Sequence, residues 1–319
     1  MLTRTRQPHL RILTWHVHGN YLYYLSQVPH DFYLVTRPGH PPGYAGRVGA
    51  LPWGDNVHEV PYDAVPQTAF DCVLYQSRRH YEHDRIELLS PAQRVLPSVY
   101  LEHDPPQQHP TDTRHWVQTR DTLLVHVTPF NALMWDSGAT PTCVIEHGVR
   151  LPRPARYSGD LPRGVTAVNN LYRRGRRLGP DVFDYARERV PLDLFGMGNA
   201  ERGLGEVPNP ELAARCAHYR FFFNPIRYTS LGLAVIEAMM IGMPLVGLAT
   251  TELSTVIRSG VNGYVDTRPD VLVSVMRRLL DDRGLAADWG RAAQQTANER
   301  FGIERFCNDW LDAFASVTA

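Results

Sequence analysis

The sequence predicts an α/β protein with two domains, each built around a parallel sheet. Three observations indicate this. The chain has 319 residues, which is long for one domain and sufficient for two. Short apolar segments alternate with polar, partly helical segments, as in a parallel sheet covered by helices. A stretch rich in proline, arginine and glycine, residues 151–163, divides the chain near its middle.

The composition is that of a globular protein. Hydrophobic residues make up 43% of the chain and charged residues 21%, which excludes a disordered chain. The formal net charge is zero, so no overall field favours nucleic acid. All 33 basic residues are arginine, so any role of a lysine must fall to arginine. The four cysteines are widely spaced and no secretory signal is evident, so we expect a cytoplasmic location.

In the first half, six short apolar segments are predicted to be strands. Helical periodicity between them is weak, and a loop rich in proline and glycine occupies residues 38–54. The predicted strands are residues 11–17, 31–36, 70–75, 98–103, 123–128 and 143–149.

The second half begins a new series of strands and helices. Asn209-Pro210-Glu211 supplies a helix N-cap, a proline at the first helical position and an early acid. The predicted strands are residues 165–168, 192–198, 221–225 and 263–265, with another beginning after Pro244. The predicted helices are residues 181–189, 209–217, 251–259, 269–281, 284–299 and 303–317.

The most informative segment is residues 229–244, Thr-Ser-Leu-Gly-Leu-Ala-Val-Ile-Glu-Ala-Met-Met-Ile-Gly-Met-Pro. A strand, loop and helix in this order direct backbone N–H groups and a helix N-terminus toward one point, where an anion is stabilised. Glu237 lies in an apolar run, where a carboxylate is costly unless a partner satisfies it. Two adjacent ribose hydroxyls are such a partner, and the alternative is a structural cap on backbone donors. The segment therefore predicts a nucleotide-diphosphate site.

The same segment has the hydropathy of a membrane span over residues 231–249. Glu237 at its centre and the break at Gly242–Pro244 argue against a span.

This segment resembles the donor-binding signature of retaining glycosyltransferases of the GT-B fold, family four, also called glycosyl transferases group 1. The resemblance covers residues from about 143 to 299, including a Gly-x-Gly at 196–198 and the segment 261–265. Thr229 departs from the pattern, because it stands where the family has its first Glu. The residues that match in register are Gly232, Leu233, Glu237, Ala238, Gly242, Pro244, Leu245 and Val246.

The resemblance implies two Rossmann-like α/β domains with parallel sheets facing a central cleft. Residues 1–155 would form the acceptor-side domain and residues 156–302 the domain that binds the nucleotide-sugar donor. The C-terminal helix, residues 303–319, would pack back on the first domain. The side chains available for that contact are Phe306, Trp310, Leu311 and Phe314.

The resemblance also implies roles for the residues of the signature. Glu237 would bind the ribose, and the backbone of Ser230, Leu231, Gly232 and Leu233 would contact the phosphate and sugar. The alternative interpretation is that this backbone segment is an ordinary turn before a helix. Thr229 leaves three interpretations open: another donor sugar, a neighbour such as Arg227 or Tyr228 taking over, or lost activity.

Two further groups complete the predicted donor site. The family places a basic pair after the first strand of the second domain, and residues 173–177, Arg-Arg-Gly-Arg-Arg, occupy that place. Arg174, with Arg173, is assigned to the diphosphate because guanidinium binds phosphate in a bidentate manner; Arg176 and a merely solvated loop are the alternatives. Gly198, in the Gly-x-Gly, is assigned to nucleotide binding.

The remaining candidate site residues lie at the ends of two predicted strands in the first half. His103 matches a family His that reaches the donor sugar, and its alternative is a structural role. His18, Gly19 and Tyr21 follow the first strand and are assigned to the acceptor side. A metal site at His16 and His18 is not expected, because no third ligand is evident. His80 and His83 are an even weaker candidate for a metal site.

The sequence thus predicts a glycosyltransferase that moves a sugar from a nucleotide-diphosphate sugar to a glycan, lipid or small molecule with retention of configuration. We expect no cofactor or metal, no nucleic acid partner and no transmembrane segment, with peripheral membrane contact left open. The alternatives are a GT-B sugar-nucleotide epimerase or hydrolase, or a non-catalytic nucleotide-sugar-binding protein.

Overall fold

The computed structural model describes residues 8–151 and 153–319, and the chain divides into two compact units. Unit 1 comprises the residues up to Gly148 together with Ile303–Ala319, and unit 2 comprises Val149–Gly302. The division lies a few residues before the domain boundary placed at 155. Residues 1–7, at the start of the predicted first domain, and residue 152, in the predicted linker, lie outside the described residues.

Each unit contains one parallel sheet. The sheet of unit 1 has the order β3-β2-β1-β4-β5-β6-β7, and that of unit 2 has the order β12-β11-β10-β8-β9. The strands of unit 1 are β1 Arg11–Thr14, β2 Asp31–Thr36, β3 Val57–Pro61, β4 Cys72–Tyr75, β5 Ser98–Glu102, β6 Thr122–His126 and β7 Thr142–Val144; those of unit 2 are β8 Leu161–Ala167, β9 Leu192–Phe195, β10 Tyr219–Asn224, β11 Leu245–Leu248 and β12 Gly263–Asp266.

The helices follow the strands in both units. In the described residues they are α1 Gly19–Leu25, α2 Arg85–Glu87, α3 Pro129–Met134, α4 Pro180–Arg187, α5 Asn209–Cys216, α6 Leu233–Met240, α7 Leu253–Val256, α8 Pro269–Asp281, α9 Arg283–Phe301 and α10 Ile303–Thr318. None of these helices has both the length and the apolar character that crossing a bilayer requires.

Several elements differ from the sequence prediction, among them helices α1 and α3 and the strands β3 and β8. β3 was not predicted, because only Val57 and Val60 of this edge strand are buried and the segment ends in a proline. β8 begins at Leu161, inside the stretch predicted as a linker. Its exposed first half is held by Arg163, whose Nη2 forms an ion pair with Asp193 on the neighbouring strand β9.

The C-terminal helix α10 belongs to unit 1 and packs on its core. Phe306, Trp310 and Phe314 are fully buried, whereas Leu311 is only partly so. Trp310 Nε1 donates a hydrogen bond of 3.2 Å to the hydroxyl of Tyr21 on α1. Gly148 is required for this contact, because a Cβ atom there would lie 2.1 Å from Cβ of Phe306.

Candidate functional site

The loop between β10 and α6 lies at the carboxyl edge of the unit 2 sheet. Every residue of β10 is buried, so the strand fixes the start of this loop. At its other end, α6 begins after Gly232, which has no side chain with which to cap the helix N-terminus. Uncapped N–H groups at a helix start attract anions, so the local geometry suits a phosphate.

Gly232 has no internal reason to be glycine. Its φ is −73°, which any residue adopts. A Cβ atom at this position would meet nothing within 4 Å. The empty space above the helix N-terminus is therefore what the glycine preserves, and it is available to a ligand.

Glu237 is on the second turn of α6 and is only 4% exposed. Its neighbours Val235, Ile236, Ala238 and Met239 are all buried as well. Asn209, at the start of α5, donates from Nδ2 to Oε1 of Glu237 over 3.2 Å. This carboxylate is thus held in a fixed position inside unit 2, where an unpartnered one would be costly.

The arginine-rich loop after β8 lies beside the β10–α6 loop, since β8 and β10 are adjacent strands. The backbone N–H groups of Arg227 and Tyr228 donate to the carbonyl of Arg177, at 2.9 and 3.2 Å. Asp181 accepts from both Nη atoms of Arg227, at 2.6 and 2.7 Å, and pairs with Arg176 at 3.0 Å. These bonds tie the two loops together.

The arginines of this region therefore divide into two groups. Arg176 and Arg227 share Asp181 and serve to fix the loops. Arg173 and Arg174 are exposed at the end of β8, and in residues 8–151 and 153–319 Arg173 has no ion pair. Since Arg227 is already bound to Asp181, it is a poor substitute for the family's first Glu at Thr229, which is itself half-buried.

The backbone of its own unit explains why residue 198, assigned to nucleotide binding, is a glycine. Its φ is +72°, which favours glycine, and a Cβ atom would lie 2.3 Å from Oδ1 of Asn170. Gly196, with φ +130°, would in the same way approach the carbonyl of Val168 to 2.4 Å. The glycine turn thus packs against the loop after β8, and its own chain explains both glycines.

In unit 1, His103 follows β5 and is held by Gln76, which follows β4. Gln76 Nε2 donates to the carbonyl of Trp15 and to Oγ1 of Thr14, both at 2.9 Å. A carbonyl only accepts, so the remaining Oε1 of Gln76 must accept from Nε2–H of His103, at 3.1 Å. The tautomer of His103 is thereby fixed, and its Nδ1 is left as an acceptor.

The surroundings of His103 keep the ring neutral. Burial lowers the pKa of His103 well below its ordinary value, and the nearby rings of His18 and His147 lower it further. His18, exposed at the start of α1, lies with its ring centroid 4.2 Å from that of His103. Gly19 begins α1, and a Cβ atom there would lie 2.9 Å from Nε2 of His16.

Tyr21 cannot contact an acceptor as the sequence interpretation required. It is 1% exposed and packs edge-on against the rings of His103, His147 and Phe306, with centroids 4.9, 5.5 and 5.6 Å away. Its role is to support His103 from behind, while His18 and His103 border a cavity described below.

Sequence reasoning missed two polar residues at the same edge, Gln76 and Glu102. Each comes at the end of a buried strand, which is the signal that could have found them. The described residues contain no group of three or more His, Cys, Asp or Glu side chains placed to hold a metal ion.

Comparison with known families gives a match in unit 2. Residues 195–296 match the family described as glycosyl transferases group 1. Through this segment, unit 2 is similar to the group 1 glycosyltransferases. The segment contains the β10–α6 loop, Gly232 and Glu237.

One curated relative that the chain matches is D-inositol 3-phosphate glycosyltransferase 1 from Catenulispora acidiphila. The two are 34% identical over 96 residues, which is 30% of this chain and 23% of the relative. The match thus spans less than a quarter of the curated protein's length.

Solved structures resemble the protein over nearly the whole chain. Sucrose-phosphate synthase from Thermosynechococcus elongatus has a TM-score of 0.73 at 15% identity and covers 98% of this chain and 99% of its own. HepE from Anabaena, solved in complex with UDP, has a TM-score of 0.68 at 14% identity and covers 97% and 100%. The fold predicted from the sequence, GT-B, is confirmed.

Proposed function

We propose that the protein is a glycosyltransferase that moves a sugar from a nucleotide-diphosphate sugar to an acceptor, with retention of configuration at the anomeric carbon. The observation that carries this proposal is the β10–loop–α6 segment, with a helix N-terminus that begins at a glycine and open space at Gly232. The family match of this segment and the UDP-glucose complex of HepE support it.

Each residue of the donor site has a proposed role. Glu237 binds the ribose hydroxyls, and the backbone of Ser230, Leu231, Gly232 and Leu233 contacts the diphosphate and sugar. Arg174, with Arg173, neutralises the departing diphosphate, which Arg does well because it binds phosphate through two N–H groups.

Catalysis in this proposal depends on position and charge. The acceptor oxygen forms a bond to the anomeric carbon as the bond to the diphosphate breaks, and the hydroxyl proton passes to the departing diphosphate. The negative charge that develops on the diphosphate is stabilised by the loop amides and arginines. Thr229 and the neutral ring of His103 bind the donor sugar. No cofactor or metal takes part, and a cytoplasmic location remains a prediction.

The first test is a thermal-shift assay against UDP-, GDP-, ADP- and dTDP-sugars, since a ligand of the folded state raises the melting temperature. We expect a shift with one nucleotide that is lost in Glu237→Ala. Asp193→Asn is the control, because Asp193 is a carboxylate held by Arg163 and Tyr219 on another strand of the same unit. No shift with any nucleotide contradicts the proposal.

Thr229 favours a second candidate, a nucleotide-sugar-binding protein without transferase activity, since the family's first Glu is missing there. Product analysis separates the candidates. A transferase forms a new glycoside, a hydrolase or epimerase turns over donor without acceptor, and a binding protein shows the thermal shift but no product.

A further inference from the structure

A cavity of about 500 Å³ opens in unit 1 at the carboxyl ends of β1, β4 and β5. In the sheet order, β1 has β2 on one side and β4 on the other, so the chain changes direction there. Ligands of open parallel sheets bind at such a switch point. The volume lies in the range of small-molecule sites, which is about 300–1,000 Å³.

One side of the cavity is an aromatic wall formed by Tyr100, Trp116 and Trp135. The two indole rings meet edge to face, with centroids 5.3 Å apart and planes at 83°. Nε1 of Trp135 donates a hydrogen bond of 2.9 Å to the carbonyl of Asp104. The ring centroid of His115 lies 4.3 Å from that of Trp116 and 4.9 Å from that of Trp135. The wall is therefore rigid and suits the C–H face of a saturated ring.

Glu102 also lines the cavity and is 7% exposed. Its Oε1 accepts from the N–H of Asp104 at 3.0 Å, and its Oε2 accepts from Nε2–H of His115 at 3.1 Å. Nδ1 of His115 accepts from the N–H of Val117 at 3.0 Å, which fixes the tautomer. In either protonation state of the carboxyl, at least one oxygen keeps a lone pair for a further donor, such as a hydroxyl.

The two arginines at the cavity already have partners in their own chain. Nε of Arg78 donates to Glu82 at 2.8 Å, and Nε of Arg114 donates to Gln118 at 2.9 Å. Their side chains are 58% and 66% exposed. Apart from these exposed arginines, the cavity is lined mainly by aromatic faces, the carboxyl of Glu102, the amide of Gln76 and the neutral ring of His103, a combination that favours a neutral polyhydroxyl ring over an anionic group.

We propose that this cavity binds the sugar or cyclitol ring of the acceptor, with the ring against the Trp116–Trp135 wall and one hydroxyl donating to Glu102. The assignment rests on the proposed transferase function, and it narrows the acceptor from glycan, lipid or small molecule to one that presents a polyhydroxyl ring.

The test is calorimetric titration of the full chain, without donor, against glucose, mannose, N-acetylglucosamine and myo-inositol. Glucose 6-phosphate probes an anionic site, and 1-hexanol and phenol probe an apolar one. We expect at least one neutral ring to bind. Trp116→Leu and Glu102→Gln should each weaken that binding about tenfold or more, equivalent to about 1.4 kcal/mol.

Matched controls are Trp53→Leu and Glu87→Gln, which change the same residue types outside the cavity. Both should bind the ring within twofold of the original protein. Glu102→Gln places an N–H group against either His115 or the N–H of Asp104, so this substitution can lower stability. If the Glu102→Gln variant does not fold, Trp116→Leu still decides the test.

The outcomes distinguish this proposal from the function on which it rests. A nucleotide thermal shift without binding of any neutral ring overturns the cavity assignment and leaves the donor site intact. Binding confined to glucose 6-phosphate, or to hexanol and phenol, also overturns it. Ring binding that depends on Trp116, in a protein that shows no nucleotide shift, supports the cavity and contradicts the transferase function.

Discussion

At the scale of single residues, Gly232 offers the cleanest test of the donor site. Its backbone is compatible with alanine and the position of the added methyl group is empty. Gly232→Ala should therefore leave the protein as stable or stabilise it by up to about 1 kcal/mol, because the unfolded chain loses freedom. The methyl group would occupy ligand space, so we expect the nucleotide-induced thermal shift to fall sharply.

Gly198→Ala is the matched contrast for Gly232→Ala. Here φ is +72° and Oδ1 of Asn170 lies in the way, so the substitution should lower the melting temperature of the unliganded protein. If Gly232→Ala binds nucleotide like the original protein, the loop does not contact the donor.

The carboxyl of Glu102 gives a second residue-scale prediction. Burial raises the pKa of Glu102 to about 8, above the value of about 4.3 in an unfolded chain. The stabilisation from keeping it protonated is complete below about pH 4 and is lost as the pH rises through about 8. The melting temperature of the original protein should fall relative to that of Glu102→Gln between pH 6 and 9. Parallel curves over that range would refute a raised pKa.

At the scale of elements, the two loops at the ends of β8 and β10 divide their arginines between structure and binding. We expect Arg174→Ala, and to a similar degree Arg173→Ala, to weaken nucleotide-sugar binding about tenfold, because a charge-assisted contact with phosphate is lost. Arg176→Ala is the control, since its exposed pair with Asp181 is worth at most about 1 kcal/mol. Titration of all three variants with the identified donor checks this, and equal losses would indicate a merely electrostatic loop.

Sequence patterns identified the elements whose causes are local. β2 and α8 have the bounds that were predicted, because their apolar spacing and, for α8, a proline in the first turn lie within the segment itself. Tyr21 was misassigned to acceptor contact, and the reason for a glycine at position 198 was not recognised, because the residues that determine both are distant in the chain. Tyr21 contacts a tryptophan 289 positions away, and Gly198 meets Asn170 across two strand ends. The partners of Glu102 and His103 likewise come from separate loops.

At the scale of the whole molecule, histidine is distributed unequally between the two units. Of the 14 histidines, only His218 belongs to unit 2. In unit 1, burial lowers the pKa of several histidines besides His103, among them His30 and His126 to about 4 and His80 and His115 to about 3. These rings stay neutral when folded, whereas the unfolded chain binds their protons below about pH 6.5.

Unit 1 should therefore be the part of the molecule that acid destabilises first. The stability that these four rings contribute is present above pH 6.5 and is lost as the pH falls toward 3–4, with up to four protons taken up on unfolding. Glu102 acts in the opposite direction through a single proton.

Five of the six tryptophans lie in unit 1 and only Trp289 in unit 2, so fluorescence reports mainly on unit 1. Between pH 7.5 and 4.5, its thermal midpoint should fall faster than that of the upper calorimetric transition. His126→Leu should reduce this fall and His218→Asn should not. If acid lowers both transitions equally, neutral buried histidines do not control the acid stability of unit 1.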